Sequence, residues 1–87
     1  MDKARKEEIM TGNALRKGDT GSADVQVALL TERINNLTSH LASHRHDAAT
    51  QRGLLGLVGK RRRLLSYLTK EDTGRYRKLI SKLGLRK

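Results

Sequence analysis

The chain reads as an all-α fold of four helices, and three observations predict it. Its 87 residues contain no Pro and few β-branched clusters, which favours helix throughout. Val27, Leu30, Ile34, Leu37 and Leu41 step by 3, 4, 3 and 4, the spacing of one helix face. A second stripe follows. On a wheel of about 100° per residue, Val58, Leu65, Leu68, Leu57 and Leu64 fall within about 80° of Leu54. Two stripes joined by a short polar stretch predict a long antiparallel hairpin of helices two and three. A short C-terminal helix is expected to pack on this hairpin, and an N-terminal helix to be weakly held. We read 1–87 as one helical domain, with an N-terminal helix and turn over 1–18 and a helical core over 22–83. At this length the core is slight.

Each element has its own warrant. The first, about Lys3 to Met10, offers little beyond Ile9 and Met10 as an apolar face. Gly12-Asn13 and Gly18-Asp19-Thr20-Gly21-Ser22 read as turn material. The second helix starts near Ser22 or Ala23, with Ser22 as N-cap and Asp24 suited to the positive helix start. Ser43 to His46 break its pattern, and Asp47 caps a third helix over about Ala48 to Lys70. Arg61 falls among that helix's apolar residues, a position it can occupy by snorkelling. Thr73 is expected to cap a fourth helix, with Tyr76, Leu79, Ile80 and Leu83 on one face and Gly84 as its stop. The hairpin predicts Leu30, Ile34, Leu37 and Leu41 buried against Leu54, Val58, Leu65 and Leu68. Leu65→Ala is then expected to cost about 2–5 kcal/mol.

Charge is piled at one end. Residues 60–87 carry eleven Lys or Arg against only Glu71 and Asp72, which accounts for +9 of the net +10. Such density repels itself in a compact state and is tolerable mainly where a polyanion neutralises it. The usual polyanion is nucleic acid, bound through phosphates with release of counterions. With no Phe or Trp, and Tyr67 and Tyr76 as the only aromatics, the chain cannot build a stacking platform for single strands. That shifts weight toward a structured, double-helical target. The absence of Cys excludes disulfides and Cys-ligated zinc. The longest apolar run, Leu54-Leu55-Gly56-Leu57-Val58, is far short of the roughly 20 residues that span a bilayer. The start lacks a secretory h-region, so a soluble intracellular protein is expected.

The third helix carries the best functional candidate. Opposite its apolar stripe lie Arg52, Gly56, Gly59, Lys60, Arg63, Tyr67 and Lys70. Guanidiniums can grip phosphates bidentately, and a phenol can donate to a phosphate or a ribose hydroxyl. Gly56 and Gly59 each cost a helix interior about 1 kcal/mol against Ala. Their small size would let a phosphate backbone approach; the plainer reading is a solvated face with glycines packed on another helix. Asp19-Thr20-Gly21-Ser22 leads into a helix N-terminus that could hold a phosphate or sugar, although a plain N-cap explains the same residues. Gln26, just inside that helix, has no evident core role. His40, His44 and His46 cluster, with His40 and His44 four apart as a metal could use, but without a Cys or a carboxylate beyond Asp47 the set is weak, and surface histidines at a helix end or hydrogen bonding to RNA are the other readings. No nucleophile, base and orienter set is present, so no enzyme is expected and no cofactor is implied.

These residues resemble a known family. Thr20-Gly21-Ser22 with Val25-Gln26-Val27-Ala28-Leu29-Leu30-Thr31 is similar to the TGS..VQVALLT block of bacterial small-subunit ribosomal protein fifteen. So are Arg52-Gly53-Leu54-Leu55, Arg61-Arg62-Arg63-Leu64-Leu65 with Tyr67-Leu68, and Arg75-Tyr76 through Leu79-Ile80 to Leu83-Gly84-Leu85-Arg86. The likeness runs from about Asp19 to the C-terminus, and the N-terminal segment is only loosely similar.

The resemblance implies a four-helix structural protein of the cytoplasmic ribosome, or of an organellar one. It would bind the central domain of small-subunit rRNA early in assembly. Junction contacts carried over by motif fall on Thr20, Gly21, Gln26, Arg33, Arg63, Tyr67 and Lys70, gripping a three-way RNA junction. Contacts to a minor-groove site with a G·U pair fall on His40, Asp47 and Thr50. Further implied partners are neighbouring small-subunit proteins and the large subunit, through an intersubunit bridge. Where the family usually reads DHHS, this chain has Asp47-Ala48-Ala49-Thr50: the hydroxyl is kept and two imidazoles are absent.

Two other readings compete on composition alone. A basic architectural DNA-binding protein would place a helix in the major groove, but the short polar set His40, Asp47 and Thr50 suits a shallow RNA minor groove better. A membrane-surface amphipathic protein would need Trp or Phe anchors, and none is present.

Overall fold

The computed structural model describes residues 3–15 and 21–85. The turn residues Gly18 and Asp19, the candidate contact Thr20 and the motif residue Arg86 lie outside them. Four helices follow in order: α1 (Lys3–Asn13), α2 (Ala23–Ser43), α3 (Ala48–Glu71) and α4 (Thr73–Leu83). Among the described residues there is no strand. The α2–α3 hairpin is the main packing unit; α1 lies on α2, and α4 on α3 and the start of α2. The molecule measures 40 × 28 × 18 Å along its principal axes.

Local chemistry sets the helix ends. Ser22 accepts from the Val25 amide at 3.3 Å and Asp47 from the Thr50 amide at 3.0 Å, as the sequence predicts. The start of α4 differs. Its N-cap is Asp72, whose carboxylate accepts from the Arg75 amide at 3.1 Å. Thr73 is instead the first helical residue, its hydroxyl donating back to the Thr69 carbonyl at 3.2 Å. A carboxylate reaches the free amides of the first turn and carries the charge that a helix start favours, so it outcompetes the hydroxyl. Gly84 ends α4 at φ 68°, a left-handed conformation that glycine takes without strain. The first helix runs past Met10 to Asn13, so Gly12-Asn13 is its last turn and not a loop; the Asn13 side-chain Nδ2 donates to the Ile9 carbonyl at 2.8 Å.

The core is placed toward one end of the hairpin. Val27, Leu68 and Leu79 form its buried centre, with Ala23, Leu64, Leu65, Tyr76, Leu83 and Leu85 packed against it. Val25 and Ala28 are buried too, off the predicted stripe. Leu30, Ile34 and Leu68 are buried as expected, but Leu37, Leu41, Leu54, Val58 and Leu65 are only half-buried. A two-helix ribbon covers just one side of each helix; full burial needs a third element, and α4 supplies it only near Val27 and Leu68. Leu65→Ala therefore leaves a partly open site that water can reach, and its expected cost falls to about 1–2 kcal/mol.

Arg61 does not simply reach for solvent. Its Nη1 donates to the hydroxyl of buried Thr31 at 3.2 Å, and burial lowers its pKa. Thr31 in turn donates to the Val27 carbonyl at 2.8 Å, so this cation fastens α3 to α2. The first helix is held more lightly. Ile9 is its buried side chain, with Arg5 bonded to Glu32 through Nε and Nη2 at 3.1 and 3.2 Å, and Lys82 donating to the Gly12 carbonyl.

Candidate nucleic-acid interface

Of the described candidate residues, His40, Asp47 and Thr50 lie at the tip of the hairpin, Gly21, Gln26, Tyr67 and Lys70 toward its other end, and Arg33 and Arg63 between. At the tip, where α2 gives way to α3, His40, Asp47 and Thr50 meet in one hydrogen-bonded cluster. Asp47 Oδ2 accepts from the Thr50 hydroxyl at 2.6 Å and lies 3.0 Å from His40 Nε2, while Oδ1 takes the Thr50 amide. An ionised carboxylate can only accept, so His40 presents its proton at Nε2. The His44 ring stacks on His40 with centroids 4.4 Å apart and planes 8° from parallel, and its Nδ1 donates to the His40 carbonyl at 3.2 Å. The two imidazoles therefore lie face to face, and among the described residues no group of three or more His, Cys, Asp or Glu could hold a metal. Ala48 and Ala49 are exposed beside this cluster.

The cluster has an electrostatic signature. The Thr50 hydroxyl, then the Thr50 amide, then His40 hold the Asp47 carboxyl down at about 2, against an ordinary value of 3.8. A depressed carboxyl contributes stability that is complete above its unfolded pKa and is lost as pH falls through the folded one. The Asp47 cap should thus persist through pH 4 and fail toward pH 2. An NMR titration of the Asp47 side-chain carbon should give a midpoint near 2, moving toward 3.8 in Thr50→Val. A midpoint already at 3.8 in the parent would mean the cluster does not form in solution.

At the other end, α2 begins and α3 ends. Gly21 is exposed, and Gln26 bends back so that its Nε2 donates to the Gly21 carbonyl at 2.7 Å, bracing the entry to α2. Gln26 and Arg33 are two turns apart on α2, and Arg33 is exposed. Arg63, Tyr67 and Lys70 step by four and three along α3, and all are exposed, Tyr67 by 55%. Val27 and Leu68, the sequence neighbours of Gln26 and Tyr67, share the core cluster, which puts both at the same end of the molecule. Asp47 and Arg63 are 16 residues apart, or about 24 Å along the helix at about 1.5 Å per residue.

The glycines of α3 settle one alternative. A Cβ added at Gly53 or Gly56 would meet nothing within 4 Å, and one at Gly59 only the Arg63 guanidinium at 3.6 Å. No helix packs against them, so the fold itself does not need their small size. Gly56→Ala should therefore stabilise the free protein by about 0.5–1 kcal/mol. If a phosphate backbone approaches there, the same change should weaken nucleic-acid binding, and chemical denaturation beside a binding titration reads both. The signal missed at sequence level was Arg75: it reads as one more surface cation, yet it is half-buried and paired with buried Asp24.

No helix among the described residues is long and apolar enough to cross a membrane. The fold and the charge excess define a small, strongly basic all-helical protein. The family model for ribosomal protein S15 matches residues 6–86, and the chain belongs to that family. It is 61% identical, over the full length of both chains, to the small ribosomal subunit protein uS15 of Clostridium botulinum strain Hall. It is 56% identical to the protein of that name from Pseudarthrobacter chlorophenolicus, over all of this chain and 98% of the relative. Members of this family are structural components, not enzymes.

Proposed function

We propose that this chain is a structural constituent of the small ribosomal subunit that binds rRNA at both ends of its hairpin. The group made by Gly21, Gln26, Arg33, Arg63, Tyr67 and Lys70, with Thr20 as the motif assigns it, grips a three-way junction in the central domain. The tip, His40, Asp47 and Thr50, enters a minor groove. The observation that carries this reading is the tip cluster. Its three side chains are already locked together, and the Thr50 oxygen and the remaining carboxylate lone pairs are acceptors. An RNA minor groove offers the matching donors, 2′-hydroxyls and a guanine amino group. A deep DNA major groove needs longer side chains to reach its base edges. Early binding to the subunit, and contact with the large subunit as an intersubunit bridge, extend this reading.

The test compares a folded three-way-junction RNA, a DNA duplex of equal length and anionic vesicles. A ligand that binds only the folded state stabilises it by RT ln(1 + [L]/Kd). The junction should raise the melting temperature most, the duplex less and vesicles least. Equal shifts with RNA and DNA would favour the architectural DNA-binding alternative. Within the junction site, Arg63→Ala should weaken binding and flatten the plot of log K against log salt by about one unit, the contribution of one phosphate.

A further inference from the structure

Asp24 is an awkward residue for a phosphate site. It lies in the first turn of α2, two residues past the Ser22 cap and two before Gln26, and its carboxylate is buried. A negative charge there suits the α2 dipole but opposes any phosphate arriving at Gly21 and the positive start of this helix. Its partner is Arg75, whose Nη2 donates to Asp24 Oδ1. Arg75 occupies an equally awkward place. It sits in the first turn of α4, where a cation faces the positive end of a helix, and its Nε is buried without a partner. The Asp72 cap of α4 adds a favourable charge beside it, but the guanidinium's hydrogen-bond partner is on α2. Neighbouring Arg77 and Lys78 are exposed, while Lys82 is engaged with the Gly12 carbonyl, so Arg75 is the cation that reaches this carboxylate.

We propose that Arg75 is a positioning residue for RNA binding: by neutralising buried Asp24 it keeps the α2 N-terminus open to a phosphate. This rests on the reading that Gly21 and Gln26 meet RNA. Arg75 touches no RNA in this role and acts through Asp24, holding the carboxylate turned onto α4 and cancelling its charge. A purely structural clamp makes a different prediction. If the pair only holds α4 to α2, removing either partner weakens RNA binding, and removing both does not restore it. If the pair acts by charge, the two single changes have opposite effects.

The experiment measures affinity for the junction RNA and for a plain RNA duplex, with melting temperature alongside, for four variants. Arg75→Gln leaves the carboxylate unopposed and should weaken junction binding about tenfold, the scale of one unit charge acting over about 12 Å at an effective dielectric constant of about 20. Asp24→Asn removes the obstacle and should bind as tightly as the parent or about threefold tighter. The double variant Asp24→Asn with Arg75→Gln restores local neutrality and should return to within about threefold of the parent. Arg75→Lys keeps the charge and should do the same. Equal weakening by Asp24→Asn and Arg75→Gln, or a double variant as weak as Arg75→Gln, would overturn the proposal. Should Arg75→Gln fail to fold, Asp24→Asn and the double variant decide it, since a loss of affinity in either is incompatible with the charge mechanism. A parent that does not prefer junction over duplex would sink the rRNA-junction reading instead, and the order of the variants on the duplex would still test the charge effect.

Discussion

Leu68→Ala should be the most damaging single truncation in the chain, costing about 3–5 kcal/mol. Leu68 is 0% exposed at the meeting point of α2, α3 and α4, packed with Val27 and Leu79. Removing its isobutyl group forfeits the transfer term and leaves a cavity that three helices cannot close together. Small domains have only about 5–15 kcal/mol in hand, and this one is near the small end of the size range, so the variant should be partly unfolded at ordinary temperature. Urea denaturation monitored by circular dichroism reads the loss, with Leu65→Ala as the comparison. Leu65 is half-buried on the same helix and should lose no more than about half as much. If the two truncations cost the same, the core is not where α4 crosses the hairpin.

Asp47→Ser should have the largest effect on recognition. Serine keeps the cap, because one oxygen suffices for the Thr50 amide. It cannot also receive both the Thr50 hydroxyl and His40 Nε2, which now converge on a single carboxylate oxygen. The tip cluster then falls apart while α3 stays intact. Affinity for the junction RNA with its minor-groove site should fall about tenfold or more, the loss expected when a group that hydrogen-bonds a partner in a matched site is removed. The salt dependence should hardly move, since no phosphate contact is lost. Affinity for unrelated RNA should hold or rise, because one negative charge is gone. A variant that binds the cognate RNA as tightly as the parent would reduce Asp47 to a helix cap. Paired with Arg63→Ala, this separates contacts that specify from contacts that only attract.

Local signals in the chain were enough for the elements and their caps. The 3-and-4 spacing of Val27 to Leu41 marks one face of α2, and Ser22, Asp47 and Gly84 sit at the boundaries their side-chain or backbone chemistry favours. These are short-range effects, acting within a turn of helix, so residue order alone carries them. The failure at Thr73 is local too. Two capping residues stand side by side, and the carboxylate of Asp72 wins over a hydroxyl for reasons of charge.

The site residues were legible as residue types through the family motifs and the charge excess, but their grouping was not. That His40, Asp47 and Thr50 share one carboxylate depends on how α2 ends and α3 begins, a matter of loop geometry over seven residues. The glycines of α3 looked equally able to pack on a helix or to face solvent, and only the positions of the neighbouring helices put Gly53 and Gly56 in the open.

By itself, then, the sequence determined the all-helical class, the hairpin, the starts of α2 and α3, the stop of α4 and the basic C-terminal half, because each follows from periodicity, capping chemistry or composition. Tertiary structure decided what depends on a third body. Where α4 crosses the hairpin, Leu68 becomes core while Leu54, Val58 and Leu65, on the same stripe, remain half-buried. The same crossing brings Arg75 to Asp24 across 51 positions of chain, turning two charges that look like ordinary surface residues into a part-buried pair beside the proposed phosphate site. Burial and pairing are properties of the packed assembly, and a helical wheel, which knows only one helix, cannot contain them.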